Sequence, residues 1–307
     1  MNLNRGKLVK IIKLGRFQFI FGGFLYFCLG ALFATLLNTE FALNKFLLGY
    51  VIFFTAHLSM HYSNDYFDME ADKYGNSSQF AGGSGILIDN PELKNFSKWF
   101  SITLLILSLV LAAAFVTIFS YSIWFFLFVA FGNFLAFFYA APPIKLSYNG
   151  FGELATISIG FLMPAMGYFA MTGTINMPFV IFSIPLLLYQ VLFINAVQIP
   201  DMEGDKLGGK NTWIVKRGRM FGFKTIAISG SLATLSFLLI SFTSLYPVIL
   251  NFRAITFVSI LPLAFAILSY LKRSNDRITA TTLINRNLSS LIIFLAVINC
   301  YFIYLIV

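Results

Sequence analysis

The sequence predicts an all-α polytopic membrane protein, and three observations carry that prediction. Hydrophobic side chains make up 59% of the 307 residues, and charged side chains only 11%. Apolar segments of about 20 residues recur along the chain, which is the length that a helix needs to cross ~30 Å of hydrocarbon. Basic residues are concentrated in alternate connections between these segments. Because lipid offers backbone N–H and C=O groups no hydrogen-bond partner, each segment is predicted to be a helix.

Nine apolar segments can be counted, and they predict a bundle of nine transmembrane helices. They cover approximately residues 17–37, 46–64, 99–119, 121–141, 154–173, 178–199, 222–242, 245–270 and 288–307. The first is long enough to span a membrane and has no clear cleavage site, so it is predicted to be a retained span and not a signal peptide. No linker or low-complexity tract divides the chain, and residues 1–307 are predicted to form a single domain.

The positions of the charged residues predict how the chain is oriented. With the N-terminus in the cytoplasm, every basic residue except Lys45 and Arg253 falls on the cytoplasmic side, as the positive-inside rule requires. Every acidic residue except Glu40 falls on the same side. The net charge of +9 therefore indicates topology and a lipid-bilayer environment, and not a nucleic-acid partner. The predicted location is the cytoplasmic membrane.

One acidic pattern occurs twice in a chain that has few carboxylates. DMEADKYG begins at Asp68, and DMEGDKLG begins at Asp201, after the second and sixth apolar segments. Both copies are therefore predicted to lie on the cytoplasmic face. The spacing of four spans is compatible with an ancient parallel duplication of a four-helix unit.

Helical spacing places several polar side chains of the first copy on one helix face. This face consists of His57, His61, Asn64, Asp68 and Asp72, which are separated by three or four residues, with Asp65 beside it. Glu70 is predicted to point elsewhere.

The second copy repeats part of this arrangement. Asp201 and Asp205 are again one turn apart, and Asn195 ends the preceding span. Glu203 is predicted to point away, as Glu70 does. Pro200 predicts an interruption of the helix just before this copy, and Pro164 and Pro185 predict interruptions of the fifth and sixth spans.

Carboxylates stacked on one helix face repel each other and need a positive partner. At ~6 Å and an effective dielectric constant of ~20, each like-charged pair costs on the order of 3 kcal/mol. Hard oxygen ligands favour Mg²⁺, with Mn²⁺ also possible, and Mg²⁺ prefers one or two carboxylates together with substrate phosphates. The two copies therefore predict a diphosphate substrate held by metal ions between two acidic helix ends.

Three other interpretations of these residues remain open. A single Asp-x-x-x-Asp pattern is more often a solvated helix end, although two copies on the same side favour a site. His57 and His61 also have the spacing of zinc ligands, but no third ligand of the right type is evident. An ion-coupled transporter is an alternative from a different class, although its acidic sites would usually lie near the membrane midplane.

The motifs resemble those of a known family. NDYFDMEAD (64–72) and DMEGDKLGGKNT (201–212) are similar to the two aspartate-rich signatures of the UbiA superfamily of intramembrane prenyltransferases. YAAPPIKLSYNGFGE (139–153) further resembles the 1,4-dihydroxy-2-naphthoate prenyltransferases of the menaquinone pathway. The resemblance implies a helical bundle around a central cavity. It also implies transfer of a polyprenyl group from a prenyl diphosphate to a lipophilic or aromatic acceptor through an allylic carbocation.

The resemblance also implies roles for individual residues. Two Mg²⁺ ions would be held on the diphosphate by Asn64, Asp68, Asp72, Asp201 and Asp205, and Asp65 would support them. Lysines would neutralise the phosphate oxygens, with Lys145 and Lys210 the best candidates and Lys73 and Lys206 behind them. Tyr139 and Tyr148 would stabilise the carbocation. His57 would stand where relatives carry an upstream arginine, and Asn195 would contact substrate.

The acceptor is not defined by the sequence. An aromatic acceptor in the synthesis of a menaquinone-like lipoquinone is the favoured prediction. A glycerol-phosphate ether lipid remains an alternative acceptor, and cyclisation of the prenyl diphosphate without a separate acceptor is a further alternative on the same fold.

Overall fold

The computed structural model describes residues 5–75, 80 and 82–307, and the elements in these ranges are helices without strands. In chain order they are α1 (Arg5–Leu14), α2 (Phe17–Leu36), α3 (Leu43–Asp72), α4 (Ile86–Asp89), a 3₁₀ turn (Pro91–Leu93), α5 (Lys94–Ile118), α6 (Ile123–Phe137), α7 (Gly152–Thr172), α8 (Met177–Leu207), α9 (Trp213–Ile240), α10 (Phe252–Leu271) and α11 (Arg277–Ile306). The predicted all-α class is confirmed.

The nine predicted spans correspond to α2, α3 and α5–α11. Eight of these helices are long and apolar enough to cross a membrane, and α6 is a shorter apolar helix. Two of the helices extend beyond their apolar segments. The α3 helix continues from the segment 46–64 to Asp72, as the helical spacing of the first motif predicted, and α8 continues from the segment 178–199 to Leu207. Both motifs are therefore the last turns of long helices.

Polar side chains cap the N-termini of several helices and so fix where they begin. Asn176 Oδ1 accepts from the backbone N–H of Phe179 at 3.1 Å, and Thr212 Oγ1 accepts from Val215 at 3.2 Å. Asp276 accepts from the N–H of Thr279 in the same way at 2.8 Å. Because the first N–H groups of a helix have no partner inside it, these caps stabilise α8, α9 and α11 at their starts.

The predicted helix interruptions at prolines were wrong. The α7 helix continues through Pro164, and α8 continues through both Pro185 and Pro200. A proline removes one backbone hydrogen bond, but close helix neighbours can compensate for the lost bond in a membrane bundle. Beside Pro200, Arg277 Nε donates to the carbonyl oxygen of Pro200 at 2.8 Å, which joins this part of α8 to the start of α11.

The helices pack into a bundle in which sequence-distant elements meet. The largest contacts join α8 with α9, α3 with α5, and α2 with α7, and α11 packs on both α2 and α8. The largest apolar cluster includes buried rings from several helices, among them Phe33, Phe182, Tyr189 and Phe294. This arrangement brings α2, α3, α7, α8 and α11 around one internal space.

Candidate functional site

The two copies of the acidic motif meet at the same end of the bundle through their small residues. A Cβ added to Gly204 would lie 2.8 Å from the Cα of Gly75, and one added to Gly208 would lie 2.5 Å from the Cβ of Ala71. Only glycines at these two positions allow so close an approach of the two helix ends. The contact places the aspartates of α3 and α8 on either side of one opening.

The opening leads into a cavity of about 270 Å³. All five residues that helical spacing placed on one face of α3 line it, namely His57, His61, Asn64, Asp68 and Asp72. Asp201 and Asp205 line it from α8, and Asp65 and Tyr139 also contribute to its wall. The cavity is therefore acidic at the end where the two motifs meet.

Lys210 lies between the two motifs and contacts both. Its ammonium is 2.9 Å from Asp68 Oδ2 and 3.5 Å from Asp205 Oδ1. Burial lowers the pKa of Lys210, but the opposing effect of Asp68, Asp205 and Asp72 holds that pKa well above its usual range. The ammonium therefore remains charged and offsets part of the repulsion between the carboxylates.

The glycine-rich loop after the first motif covers the acidic end of the cavity. The N–H of Gly82 donates to Asp201 Oδ2 at 2.6 Å, and Ser84 donates to Asp65 through both its N–H and its hydroxyl group. Gly83 lies so close to Asp72 that an added Cβ would overlap its carboxylate oxygen. The backbone N–H of Gly82 thus binds a carboxylate of the second motif. Ala81, the first residue of this glycine-rich stretch, lies outside the described residues.

The loop 139–153 contributes two tyrosines at different positions. Tyr139 lines the cavity, whereas Tyr148 lies outside it and donates its hydroxyl hydrogen to Asp68 Oδ1 at 2.8 Å. Burial raises the pKa of both phenols, and the nearby Asp68 carboxylate raises the pKa of Tyr148 further. Both phenols therefore remain protonated and can donate. Lys145 lies over the ring of Tyr148, with its Nζ 4.9 Å from the ring centre.

Several predicted site residues are not brought to the cavity. Among the described residues, its wall does not include Lys73, Lys145, Asn195 or Lys206. Lys73 pairs with Glu70 at 2.6 Å on the surface, Lys206 is exposed, and the Asn195 side chain donates to the carbonyl oxygen of Val191 within its own helix. Their roles stay predictions.

The cavity wall also contains residues that were not predicted from the sequence, among them Arg16 and Gln198. Arg16, counted only as a topology signal, precedes α2 and lines the cavity. Burial lowers the pKa of its guanidinium, whereas Asp65, Asp201 and Asp72 act in the opposite direction. Gln198 lies three residues before Asp201, is 4% exposed, and has no hydrogen-bond partner for either amide atom among the described residues. A polar amide inside an apolar span, on the face of Asp201, was the signal that could have found it.

The other end of the cavity is largely apolar. Its wall includes Met163 from α7, Phe193 from α8, and Leu288, Ile292 and Leu295 from α11. His61 and His57 lie between this part and the aspartates, one and two helical turns, respectively, further from the motif than Asn64. The cavity thus combines an acidic entrance, a polar middle and an apolar interior.

The acidic end has the chemistry of a metal–phosphate site without a complete protein cage for a metal. In the described ranges, no three Asp, Glu, His or Cys side chains are grouped so as to hold a metal ion by themselves. The oxygen atoms Asn64 Oδ1 and Asp201 Oδ1 are nevertheless buried without a partner there. Buried oxygens without partners, beside carboxylates and cations, suit a bound group that brings both positive charge and oxygen atoms of its own.

A helical membrane bundle with an acidic cavity entrance and an apolar interior has the features of a protein that handles an amphipathic, phosphorylated lipid. Comparison with known proteins identifies the class. Residues 24–298 match the UbiA prenyltransferase family, so this chain belongs to that family of prenyltransferases. The resemblance seen in the motifs is confirmed.

Individual relatives are more distant. A 1,4-dihydroxy-2-naphthoate octaprenyltransferase of Bacillus subtilis (strain 168) is 29% identical over 103 residues, which is 33% of this chain and 33% of that protein. The match thus spans only about a third of the length of this relative.

Solved structures confirm the fold. A UbiA homologue from Archaeoglobus fulgidus bound to GPP and Mg²⁺ has a TM-score of 0.67 at 16% identity, covering 96% of this chain and 99% of that one. A digeranylgeranylglyceryl phosphate synthase has a TM-score of 0.58 at 22% identity, covering 94% and 99%.

Proposed function

We propose that this protein transfers a polyprenyl group from a prenyl diphosphate to an aromatic acceptor in the synthesis of a menaquinone-like lipoquinone. One observation carries the proposal: the two aspartate motifs converge on the entrance of a cavity whose interior is apolar. Such a cavity suits a diphosphate head at the acidic entrance and a hydrocarbon chain inside. The naphthoate octaprenyltransferase relative supports the aromatic acceptor.

The residues at the entrance fit Mg²⁺. The predicted ligands Asn64, Asp68, Asp72, Asp201 and Asp205 supply hard oxygen atoms, and all five line the cavity. A site that offers few protein ligands suits Mg²⁺, which retains waters and binds substrate phosphate oxygens, and Mn²⁺ has similar preferences. The A. fulgidus homologue bound to GPP and Mg²⁺ supports this assignment. When bound, the metal would neutralise charge that develops on the departing diphosphate.

The chain's own cations and walls supply the rest of the mechanism. Lys210 and Arg16 lie at the entrance, where they would bind phosphate oxygens and stabilise the leaving anion. The apolar interior excludes water, which would otherwise react with an allylic carbocation. The Tyr139 ring lies in the same wall, where an aromatic face stabilises a cation.

The proposed orientation follows from charge. Both motifs lie at one end of the bundle, and this end carries the basic connections that the positive-inside rule assigns to the cytoplasm. We therefore place the N-terminus and both motifs on the cytoplasmic side of the cell membrane. A water-soluble acceptor precursor would reach the entrance from that side.

The test uses purified protein in lipid with Mg²⁺ and geranylgeranyl diphosphate or a longer donor. The acceptors are dihydroxynaphthoate, hydroxybenzoate and geranylgeranylglyceryl phosphate, with prenylated product measured by mass spectrometry and diphosphate release measured separately. We expect Mg²⁺-dependent product with dihydroxynaphthoate, lost in Asp68→Ala and Asp201→Ala. Glu70→Ala is the matched control, because Glu70 belongs to the same motif but is exposed.

Each other outcome identifies an alternative. Product only with the glyceryl phosphate would assign an ether-lipid synthase, and diphosphate release without an adduct would indicate cyclisation. Absence of both, with ion flux that depends on Asp68, would support the transporter.

A further inference from the structure

The middle of the cavity contains the chain's two histidines, and neither is explained by the chemistry at its entrance. His57 and His61 are one turn apart on α3, with ring centres 5.1 Å apart. His61 is 5% exposed. His57 Nδ1 and His61 Nε2 are buried and lack a hydrogen-bond partner among the described residues. Both residues line the cavity, and buried polar atoms are rarely left without a partner, so the two imidazoles indicate a missing ligand.

The pair packs mainly against aromatic side chains, and the Arg16 guanidinium lies over the Phe19 ring beside His61. The His57 ring packs against Phe53, with 5.4 Å between ring centres, and its Nδ1 lies close to Gly23, which also lines the cavity. The His61 ring packs against Phe19 at 5.7 Å. None of the hydrogen bonds or ion pairs among the described residues joins either imidazole to a carboxylate. This environment suits an uncharged polar group better than a second charge, since an unpaired buried charge costs far more.

The pair lies at a distance from the aspartates at which it could contact a second substrate. His61 precedes Asp68 by seven residues, which is about 10 Å along a helix axis. The first carbon of a prenyl donor lies directly beside its diphosphate. An aromatic ring that reacts at this carbon would therefore lie between the aspartates and the imidazoles.

We propose that His57 and His61 bind a hydroxyl group of the acceptor, and that the acceptor is an uncharged or singly charged aromatic ring whose phenolic hydroxyl faces them. This inference rests on the proposed function and deepens it. The hydroxyl donates its hydrogen to an imidazole nitrogen, which orients the ring and makes it more electron-rich.

The step balances in atoms and charge. The bond between the prenyl carbon and the diphosphate oxygen breaks, and its electron pair leaves with the diphosphate. The ring carbon bonds to the prenyl carbon while the hydroxyl proton passes to the imidazole, which gives a dienone. The hydrogen on that ring carbon then moves to the oxygen, which restores the aromatic hydroxyl. One proton is released in total.

The first test combines variants of the protein with variants of the acceptor. Wild type, His57→Leu and His61→Leu are compared on 1,4-dihydroxynaphthalene and on its dimethyl ether, with Mg²⁺ and the same prenyl donor. We expect kcat/KM for the diol to fall about tenfold or more in the Leu variants, in line with loss of a buried hydrogen bond. The dimethyl ether has no hydroxyl hydrogen to donate. For this acceptor we therefore expect the Leu variants to have the same kcat/KM as wild type. His61→Gln, which retains a hydrogen-bonding group, should recover part of the activity.

A purely structural role of the pair would give a different result, because it would lower kcat/KM for both acceptors equally. That outcome, or unchanged activity on the diol, would overturn the inference. Ser59→Ala is the control for disturbance of α3. Ser59 donates to the carbonyl oxygen of Ser101 at 2.7 Å, so this variant disturbs the contact of α3 with α5 and leaves both histidines in place. It should leave the ratio of the two acceptors unchanged.

A substitution on the facing helix α2 can displace His57 without changing either histidine. A Cβ added in Gly23→Ala would lie 2.5 Å from His57 Nδ1 and displace the ring. We expect a selective loss on the diol, as in His57→Leu. Gly132→Ala is the control, because its added Cβ would meet its nearest atom only at 4.0 Å.

A direct binding measurement separates failure of this inference from failure of the proposed function. Protein labelled with ¹⁵N at histidine should give resonances from only two side chains, and the diol is added without donor or metal. A shift in at least one imidazole, abolished in the corresponding Leu variant, supports acceptor binding even if no transfer occurs. Absence of any shift at saturating diol would overturn it, whereas absence of donor binding at the aspartates would instead refute the proposed function. A response to Zn²⁺ alone would assign the pair to a metal.

Discussion

The two copies of the acidic motif share a sequence pattern and a packing contact. Aligning the copies pairs Ala71 with Gly204 and Gly75 with Gly208. In the structure, Gly204 meets Gly75 and Gly208 meets Ala71, so each copy uses the same two positions to contact the other. This reciprocal contact explains why small residues recur at both positions, and it places Asp68 and Asp201 at one opening.

The two copies differ in the exposure and the partners of their glutamates. Glu70 is 73% exposed and pairs with Lys73, which is 46% exposed. Glu203 pairs instead with both terminal nitrogens of Arg219, which is only 3% exposed. Arg219 also donates to the carbonyl oxygens of Ile199 and Asn275. Neither glutamate lines the cavity, but only Glu203 pairs with a buried cation.

This difference assigns different mechanical roles to the two helix ends. The second copy is fixed to α9 and to the connection before α11 through one buried guanidinium. At the equivalent position, the end of α3 has only a surface ion pair within its own helix end. The glutamate of the second copy therefore joins its helix end to two neighbouring elements, whereas the glutamate of the first copy joins none.

Removing the two glutamates should give the largest contrast between the copies. Glu203→Ala leaves the buried Arg219 guanidinium without its carboxylate. Because the Glu203 side chain is 52% exposed, solvent offsets part of the loss, and about 1–3 kcal/mol is expected. Glu70→Ala removes an exposed pair, for which about 0–1 kcal/mol is expected. Unfolding of both variants in mixed micelles, titrated with denaturing detergent, measures the difference. Equal losses would show that the second copy is not specially anchored.

Substitutions of the lysines at the two copies should differ in their effect on the rate of prenyl transfer. Lys210 contacts aspartates of both motifs, whereas Lys73 contacts only Glu70. Lys210→Met should lower prenyl transfer about 100-fold, because it removes a charge that stabilises the leaving diphosphate. Lys73→Met should leave transfer nearly unchanged. Initial rates at saturating donor, together with donor affinity, provide the measurement, and a strong loss in Lys73→Met would assign phosphate binding to the surface lysine.

The reciprocal contact between the copies can be tested at Gly204. Alanine within a helix is usually more stable than glycine by about 1 kcal/mol, so Gly132→Ala on α6 should stabilise the protein slightly. In Gly204→Ala the added Cβ would lie 2.8 Å from the Cα of Gly75, and overpacking of this kind costs about 1–3 kcal/mol. Stability should therefore fall, and transfer should fall with it as the aspartates separate. A gain in stability at Gly204 would refute the close contact.

The fold was predictable because lipid leaves a spanning chain few choices. Apolar segments of sufficient length must be helices, and the charge pattern assigns their ends. What the sequence could not show depended on tertiary packing: α8 continues through Pro200 within a packed bundle, where Arg277, a residue far along the chain, binds the Pro200 carbonyl oxygen.

The site was predictable in part for a similar reason. Spacing along one helix placed five residues of α3 on the cavity wall, because a helix face is a local property. Arg16 and Gln198 were missed, since each reaches the cavity only through the packing of its helix against others. The distinction between Glu70 and Glu203 likewise depends on Arg219, whose position no local pattern defines.

The smallest expected effect on prenyl transfer concerns the hydrogen bonds to the first aspartate of each copy. Asp68 accepts a hydrogen bond from the Tyr148 hydroxyl, and Asp201 accepts one from the backbone N–H of Gly82. Only the first donor can be removed by substitution. Tyr148→Phe should reduce transfer about three- to tenfold, because one hydrogen bond to a carboxylate is lost while the charge of Lys210 remains. The rate should fall without a change in the donor preference. In the double variant with Lys210→Met, the fold-loss of transfer should be smaller than the product of the two single fold-losses, because both side chains act on Asp68. Fully multiplicative effects would show that Tyr148 acts elsewhere in the reaction, as a direct contact of the substrate.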